Sequence, residues 1–226
     1  SEVVCGFTKQ AVDFFFEHGC ELVIFVCNTA SSDALRFIQH RHLPQKYPDK
    51  KVLGVLIPAA EDAIAQTKNK KIGIIATEGT VESGAFVREL TALDPHVRVF
   101  QKACPLLVPL IEAGEHTSEA AKIILRQYLE PLLKKDIDTL VLGCTHYGLL
   151  ERRIRAVVGP EVAIISEARA VPKKLRDYLE RHSDIEKKLT KDGEVRFYST
   201  DLTDKFKRLG SQFFGAPIEV HKATLT

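Results

Sequence analysis

Two stretches decide how this chain is built: Glu21-Leu22-Val23-Ile24-Phe25-Val26-Cys27-Asn28-Thr29 and Asp138-Thr139-Leu140-Val141-Leu142-Gly143-Cys144-Thr145-His146. Each runs acid, apolar strand, cysteine and threonine, and each leads into a segment with helical spacing. Leu22 to Val26 is a solid apolar run, the pattern of a strand buried on both faces of a parallel sheet. The same alternation of short apolar runs and helical segments extends in both directions from these two points.

Before the first, Val3, Phe7, Ala11, Phe14 and Phe15 repeat at helical spacing, and His18-Gly19 closes that helix. After it, a helix is expected over 32–40, then a strand over 52–57 that Pro58 stops. A helix over 60–67 and a strand over 72–76 follow, and the turn Thr77-Glu78-Gly79-Thr80 leads into a helix reaching Leu90. A strand over 97–101 and a short helix to Ala113 precede a long helix, capped by Thr117 or Ser118 and ending near Leu133. The second decisive stretch supplies a strand over 139–143 and a helix to about Val158. Strands over 162–166, 195–199 and 218–220 are separated by helices over 168–182 and 202–214, the latter with Asp201 as N-cap, and Ser183 to Gly193 reads as a polar loop. Strict alternation of this kind implies an α/β fold with parallel sheets and helices on both faces.

In such sheets ligands sit at the carboxyl ends of the strands, which is where Cys27 and Cys144 fall. A helix N-terminus presents unpaired N–H groups and partial positive charge, so it lowers the pKa of a nearby thiol and also binds carboxylates. Asn28, Thr29, Thr77, Thr80 and Thr145 add hydroxyl and amide donors around the same lip. Cys5 and Cys20 are assigned to packing, as is Cys104 despite its position in a strand-to-helix turn. His146, two residues after Cys144, is placed either to tune that thiol or to satisfy a core contact. A zinc site from Cys27, Cys104, Cys144 and His146 is disfavoured, because no Cys-x-x-Cys or His-x-x-x-His spacing supports it. The phosphate-loop, dinucleotide and nucleophile-elbow motifs do not occur.

The bulk numbers fit this reading. A net charge of +2 gives no reason to invoke nucleic acid or a membrane surface. No stretch approaches the ~20 apolar residues of a membrane span. Five cysteines, an odd number without secretory features, point to reduced thiols and a cytoplasmic location. The chain starts at Ser1 directly on a helical pattern and contains no methionine, so a preceding segment is expected in the natural protein.

Cys27-Asn28-Thr29-Ala30-Ser31 and Gly143-Cys144-Thr145-His146-Tyr147 resemble the two signature motifs of bacterial glutamate racemases. The resemblance continues through Ile72 to Val81, through Ala103 to Glu112, and at Thr200-Asp201-Leu202, so it covers nearly the whole chain. It implies two pseudo-symmetric α/β domains facing across a cleft, 1–58 plus 168–226 and 59–167, each supplying one cysteine. It implies a cofactor-independent racemase that turns L-glutamate into D-glutamate for peptidoglycan, with no metal. Cys27 and Cys144 would be the opposed acid/base thiols, and His146 and Glu112 would assist Cys144. Asn28 and Thr29 would hold the substrate's α-amino and carboxylate groups, with Thr77, Thr80, Thr145 and His146 lining the cleft. Family members are often dimers through more than one face, so a homodimer is an open expectation.

The sequence also departs from that family. Its pattern opens with a strand ending in Asp-Ser-Gly, whose Asp assists the first thiol, and then a Tyr-Gly pair; neither stands ahead of the first helix here. Gly148 stands where proline is common. The alternatives are an aspartate racemase or related enzyme, and a catalytically impaired ligand-binding protein.

Overall fold

The computed structural model describes residues 2–225. In chain order the elements are α1 (Glu2–Glu17), β1 (Leu22–Phe25), α2 (Asn28–Asp33), α3 (Leu35–Phe37), a π-helical turn (Ile38–His42), α4 (Leu43–Lys46), β2 (Lys51–Gly54) and α5 (Leu56–Gln66). Then come β3 (Lys71–Ala76), α6 (Glu78–Ser83), α7 (Ala85–Leu93), β4 (Arg98–Ala103), α8 (Leu107–Glu112), a short 3₁₀ turn (Glu115–Thr117), α9 (Glu119–Leu133) and β5 (Thr139–Gly143). A 3₁₀ segment (Thr145–Leu150) leads to α10 (Glu151–Val158), β6 (Ala163–Ser166), α11 (Glu167–Arg181), α12 (Ser183–Glu186), β7 (Phe197–Ser199), α13 (Asp204–Phe214) and β8 (Val220–Lys222).

Every strand pair among the described residues is parallel, as the alternation requires. The main sheet has the order β4-β3-β5-β6, and its strands show why it is wound on both sides. Ile75, Leu140, Leu142 and Ile164 point to one face, into a core with Leu107, Ile111, Leu125 and Leu129 from α8 and α9. Ile72, Ile74, Val141 and Ile165 point to the other, against Ala59, Ala63, Phe86 and Leu90 from α5 and α7. The chain leaves β3 for β4 on one side and returns to β5 on the other. The crevice between the ends of β3 and β5, where Ala76 pairs with Gly143, is therefore the switch point of this sheet.

β1 and β2 form a separate two-stranded sheet, packed by α1 and the α2–α4 region through Val12, Phe16, Phe25, Leu35 and Ile38. Here one expectation needs correction. β1 is not buried on both faces: Val23 and Phe25 are buried in the core of this sheet while Leu22 and Ile24, on the alternate face, are only partly buried. β7 and β8 make a third small sheet near the C-terminus.

Other boundaries also moved. Pro58 does not stop a strand but sits in the first turn of α5, where its missing N–H has no intrahelical partner to lose. Gly84, with φ +62°, divides the expected single helix after Thr77 into α6 and α7, and α7 runs on to Leu93. Ser118 caps α9, its hydroxyl accepting from the Ala121 N–H. Thr203, not Asp201, caps α13 by accepting from the Phe206 N–H. The polar loop after α11 holds the short helix α12.

Candidate active site

The lip of the main sheet gathers the second half of the site. Gly143 ends β5 in a place with no room for a side chain: a Cβ there would lie 2.9 Å from the Phe86 ring and 3.1 Å from the Ile75 carbonyl oxygen. This close approach lets Cys144 leave the strand at the switch point in extended conformation, heading the 3₁₀ segment. The Cys144 thiol is half-buried. Burial pushes its pKa up to about 11, the charges of Glu167 and Cys27 push in the same direction, and the N–H groups of His146 and Tyr147 oppose them. The expected lowering of this thiol is thus overturned: desolvation outweighs the short helical dipole.

Behind Cys144 runs a polar chain. Its Sγ is 3.9 Å from His146 Nδ1. His146 Nε2 is 3.6 Å from Glu112 Oε1, an ionic approach rather than a hydrogen bond. Lys205 Nζ on α13 donates to Glu112 Oε2 at 2.8 Å. That ammonium, followed by the nearby His146, holds the Glu112 carboxyl below its usual range against the effect of burial. Phe213, also on α13, meets the His146 ring edge-on with centroids 6.1 Å apart.

Cys27 precedes α2 in extended conformation and is exposed. Next to it, Asn28 is buried and Thr29 reaches the main-sheet unit: its hydroxyl lies 3.1 Å from that of Thr77 and 3.2 Å from that of Thr80. Thr77 also caps α6 and contacts the Thr80 hydroxyl at 3.0 Å, so three hydroxyls form a closed cluster across the two units. Thr145 is exposed beside the second thiol.

Two hollows meet here. A cavity of about 320 Å³ is lined by Val26, Cys144, Thr145, Ser166, Glu167 and Pro172. Cys27 instead lines a neighbouring groove of about 370 Å³ with Phe7, Phe15 and Phe25, and Val26 borders both. The structure therefore brings Cys144, Thr145, His146 and Glu112 together on one side, and Asn28, Thr29, Thr77 and Thr80 together on the other. It sets Cys27 at the mouth of an adjoining hollow.

Cys104 is fully buried, its thiol pushed up to about 12 by burial, and its carbonyl accepts from the Tyr147 hydroxyl at 3.2 Å, so packing is its role. Cys5 and Cys20 pack against the core of the smaller sheet. Among the described residues no three Cys, His, Asp or Glu side chains converge to hold a metal ion, and no helix is long and apolar enough to cross a membrane.

The sequence reading missed Glu167, Lys205 and Ser166. Glu167 follows β6 as Cys144 follows β5, so strand-end position was the available signal. An acid opening a helix reads first as a partner for the helix dipole, and that masked it.

The family model described as Asp/Glu/Hydantoin racemase matches residues 8–173. The chain is 35% identical over 215 residues to a glutamate racemase of Desulforudis audaxviator, spanning 93% of this chain and 77% of that protein. Among solved structures, it superimposes on a glutamate racemase isoform of Bacillus anthracis with TM-score 0.87 and 32% identity, covering 99% of this chain and 81% of the other. It superimposes on the Francisella tularensis glutamate racemase in complex with D-glutamate with TM-score 0.85 and 26% identity, covering 100% and 81%. With the parallel α/β architecture and the two cysteine-bearing strand ends in place, the chain belongs to the Asp/Glu/hydantoin racemase family and, within it, to the glutamate racemases.

Proposed function

We propose that Cys27 and Cys144 interconvert L- and D-glutamate as opposed acid and base, without a cofactor. One observation carries this reading: two cysteines at matching strand ends flank a hydroxyl cluster that joins the units bearing them. The division into 1–58 plus 168–226 and 59–167 puts one thiol on each unit.

In the forward step one thiolate takes the Cα proton of glutamate. The new S–H bond forms as the C–H pair is left on Cα and spreads into the α-carboxylate. The thiol on the other side then gives its proton to the opposite face, and thiol and thiolate have exchanged places. The α-proton is very weakly acidic, so oriented donors must stabilise the charge as it develops. Thr29, Thr77, Thr80 and Thr145 supply hydroxyls for the carboxylates, Asn28 supplies an amide, and His146, backed by Glu112, stands beside Cys144. The product supplies D-glutamate to peptidoglycan in the cytoplasm, and the working form is a homodimer, which light scattering tests.

Deuterium wash-in at Cα from heavy water, with L-glutamate and L-aspartate compared, tests the reaction. Exchange with glutamate is expected; faster exchange with aspartate would move the assignment to an aspartate racemase. Two observations favour a second reading, ligand binding without turnover: Cys27 lines a separate groove, and burial pushes the Cys144 thiol up to about 11. Calorimetric binding of glutamate with no wash-in at high protein concentration would select it.

A further inference from the structure

One helix touches the polar chain behind Cys144 twice. Lys205 on α13 donates to Glu112, and Phe213, eight residues on, meets the His146 ring at 86° with centroids 6.1 Å apart. Eight residues span about 12 Å of helix. The Thr203 cap at one end and Gly215, with φ +82°, at the other fix where α13 starts and stops, so both contacts share one register. Core burial does not account for Phe213. Phe206, Leu209 and Phe213 recur at helical spacing, yet only Leu209 is buried, while Phe206 is 41% and Phe213 42% exposed. Among the described residues, the aromatic ring that Phe213 meets is that of His146.

The imidazole needs such a neighbour. Two torsions set where its nitrogens point, and the outer one is broad. Its own polar contacts hold it weakly: Nδ1 is 3.9 Å from Cys144 Sγ and Nε2 is 3.6 Å from Glu112 Oε1, both long, and the side chain is 30% exposed. Rotating the ring plane carries Nδ1 away from the thiol and Nε2 away from Glu112 together. An edge-on aromatic pair is directional, because it fixes the angle between two ring planes. Phe213 thereby holds the plane in which both nitrogens face their partners.

We propose that Phe213 is a positioning residue for the racemase reaction: it keeps His146 in line between Glu112 and Cys144, while Lys205 on the same helix holds Glu112. The inference rests on Cys144 being an acid/base thiol, as proposed above. By the division proposed there, α13 lies in 168–226 and His146 in 59–167. The partner of Cys144 is then oriented by the unit that carries Cys27, so this thiol is assisted only where the two units meet.

The test is a double-mutant cycle of Phe213→Leu with His146→Asn, read on two quantities. Leucine keeps apolar bulk without a ring, and Phe213→Tyr keeps the ring. The first quantity is the rate at which iodoacetamide alkylates Cys144, followed by peptide mass spectrometry so that Cys27 is counted separately. The second is Cα deuterium exchange with glutamate. F213L is expected to slow both by about 2–10-fold, the range that an edge-on pair is worth, with KM for glutamate unchanged, and F213Y to stay near the wild type. In the H146N background F213L is expected to slow alkylation no further. Equal losses in both backgrounds, or no loss with His146 present, overturn the proposal. Phe213→Met, equally ringless, takes over if F213L does not fold; failure of both to fold makes Phe213 a structural residue and overturns the proposal too. Alkylation keeps the two claims apart. Coupling of Phe213 to His146 in alkylation, with no Cα exchange even in the wild type, sinks the acid/base reading alone. Wild-type exchange with no such coupling sinks the positioning role alone.

Discussion

The Glu167 carboxyl is pushed up to about 8 by burial, with the Asn28 amide opposing the shift, and its charge in turn pushes the Cys144 thiol upward. The unfolded chain releases this proton near the ordinary carboxyl value of about 4.3, well before the folded chain does. The group's contribution to stability is therefore fully present below that value and is lost as pH rises to about 8. Glu167→Gln keeps the shape and removes the charge. It is expected to be more stable than the wild type at pH 8, by on the order of 2–4 kcal/mol, and nearly equal to it at pH 4.5. Urea unfolding at the two pH values measures this, and a difference that does not grow with pH would refute the burial of the Glu167 carboxyl. Glu167 and Cys144 share a lesson about what a sequence shows. The positions of both at strand ends are legible in the alternation of apolar runs. Their pKa values are not, because desolvation depends on how completely the rest of the fold closes around a group, which no local pattern shows. The local helix argument gave the wrong sign for Cys144 for that reason.

At the scale of elements, the position of Cys144 depends on Gly143. β5 can end flush against β3 because residue 143 carries no side chain where the Phe86 ring and the Ile75 carbonyl close in. A methyl group there must push a backbone oxygen, which cannot swing away as a side-chain end can. Gly143→Ala is expected to cost about 1–3 kcal/mol in denaturant unfolding and to reduce racemase turnover further by displacing the thiol. A variant with wild-type stability would show that β5 has more room than this packing allows. The same elements show how far local rules carry. Strand and helix order, the parallel pairing and the Ser118 cap all follow from periodicity and end signals. Ends that depend on competition between neighbours did not. Asp201 and Thr203 are both capping residues, and the helix start chose the later one. Pro58 suits both a strand stop and a first helical turn, and the packing of α5 on the main sheet chose the turn.

Across the whole molecule, the site is assembled from distant parts of the chain. Thr29 joins Thr77 and Thr80 from one side, and α13 reaches in from the C-terminal region to set Lys205 on Glu112. That arrangement makes a peripheral lysine an element of the pH response. Lys205 is the foremost cause of the low Glu112 pKa, and Glu112 in turn faces His146 beside Cys144. Removing the ammonium with Lys205→Ala lets the Glu112 pKa return upward, so Glu112 becomes protonated at higher pH than in the wild type. The charge that supports His146 is then lost first on the acidic side, while above neutrality Glu112 is ionised in both proteins. The side chains are partly exposed, 61% for Lys205 and 33% for Glu112, so solvent screening keeps the effect modest. The acidic limb of the kcat/KM profile is expected to move to higher pH, with activity down about 2–5-fold at pH 5 and within about 1.5-fold of wild type at pH 8. Raising salt should shift the wild-type acidic limb towards that of the variant, because screening weakens the same pair. Superimposable profiles would mean that Glu112 does not act on Cys144 through His146, and that α13 only covers the site.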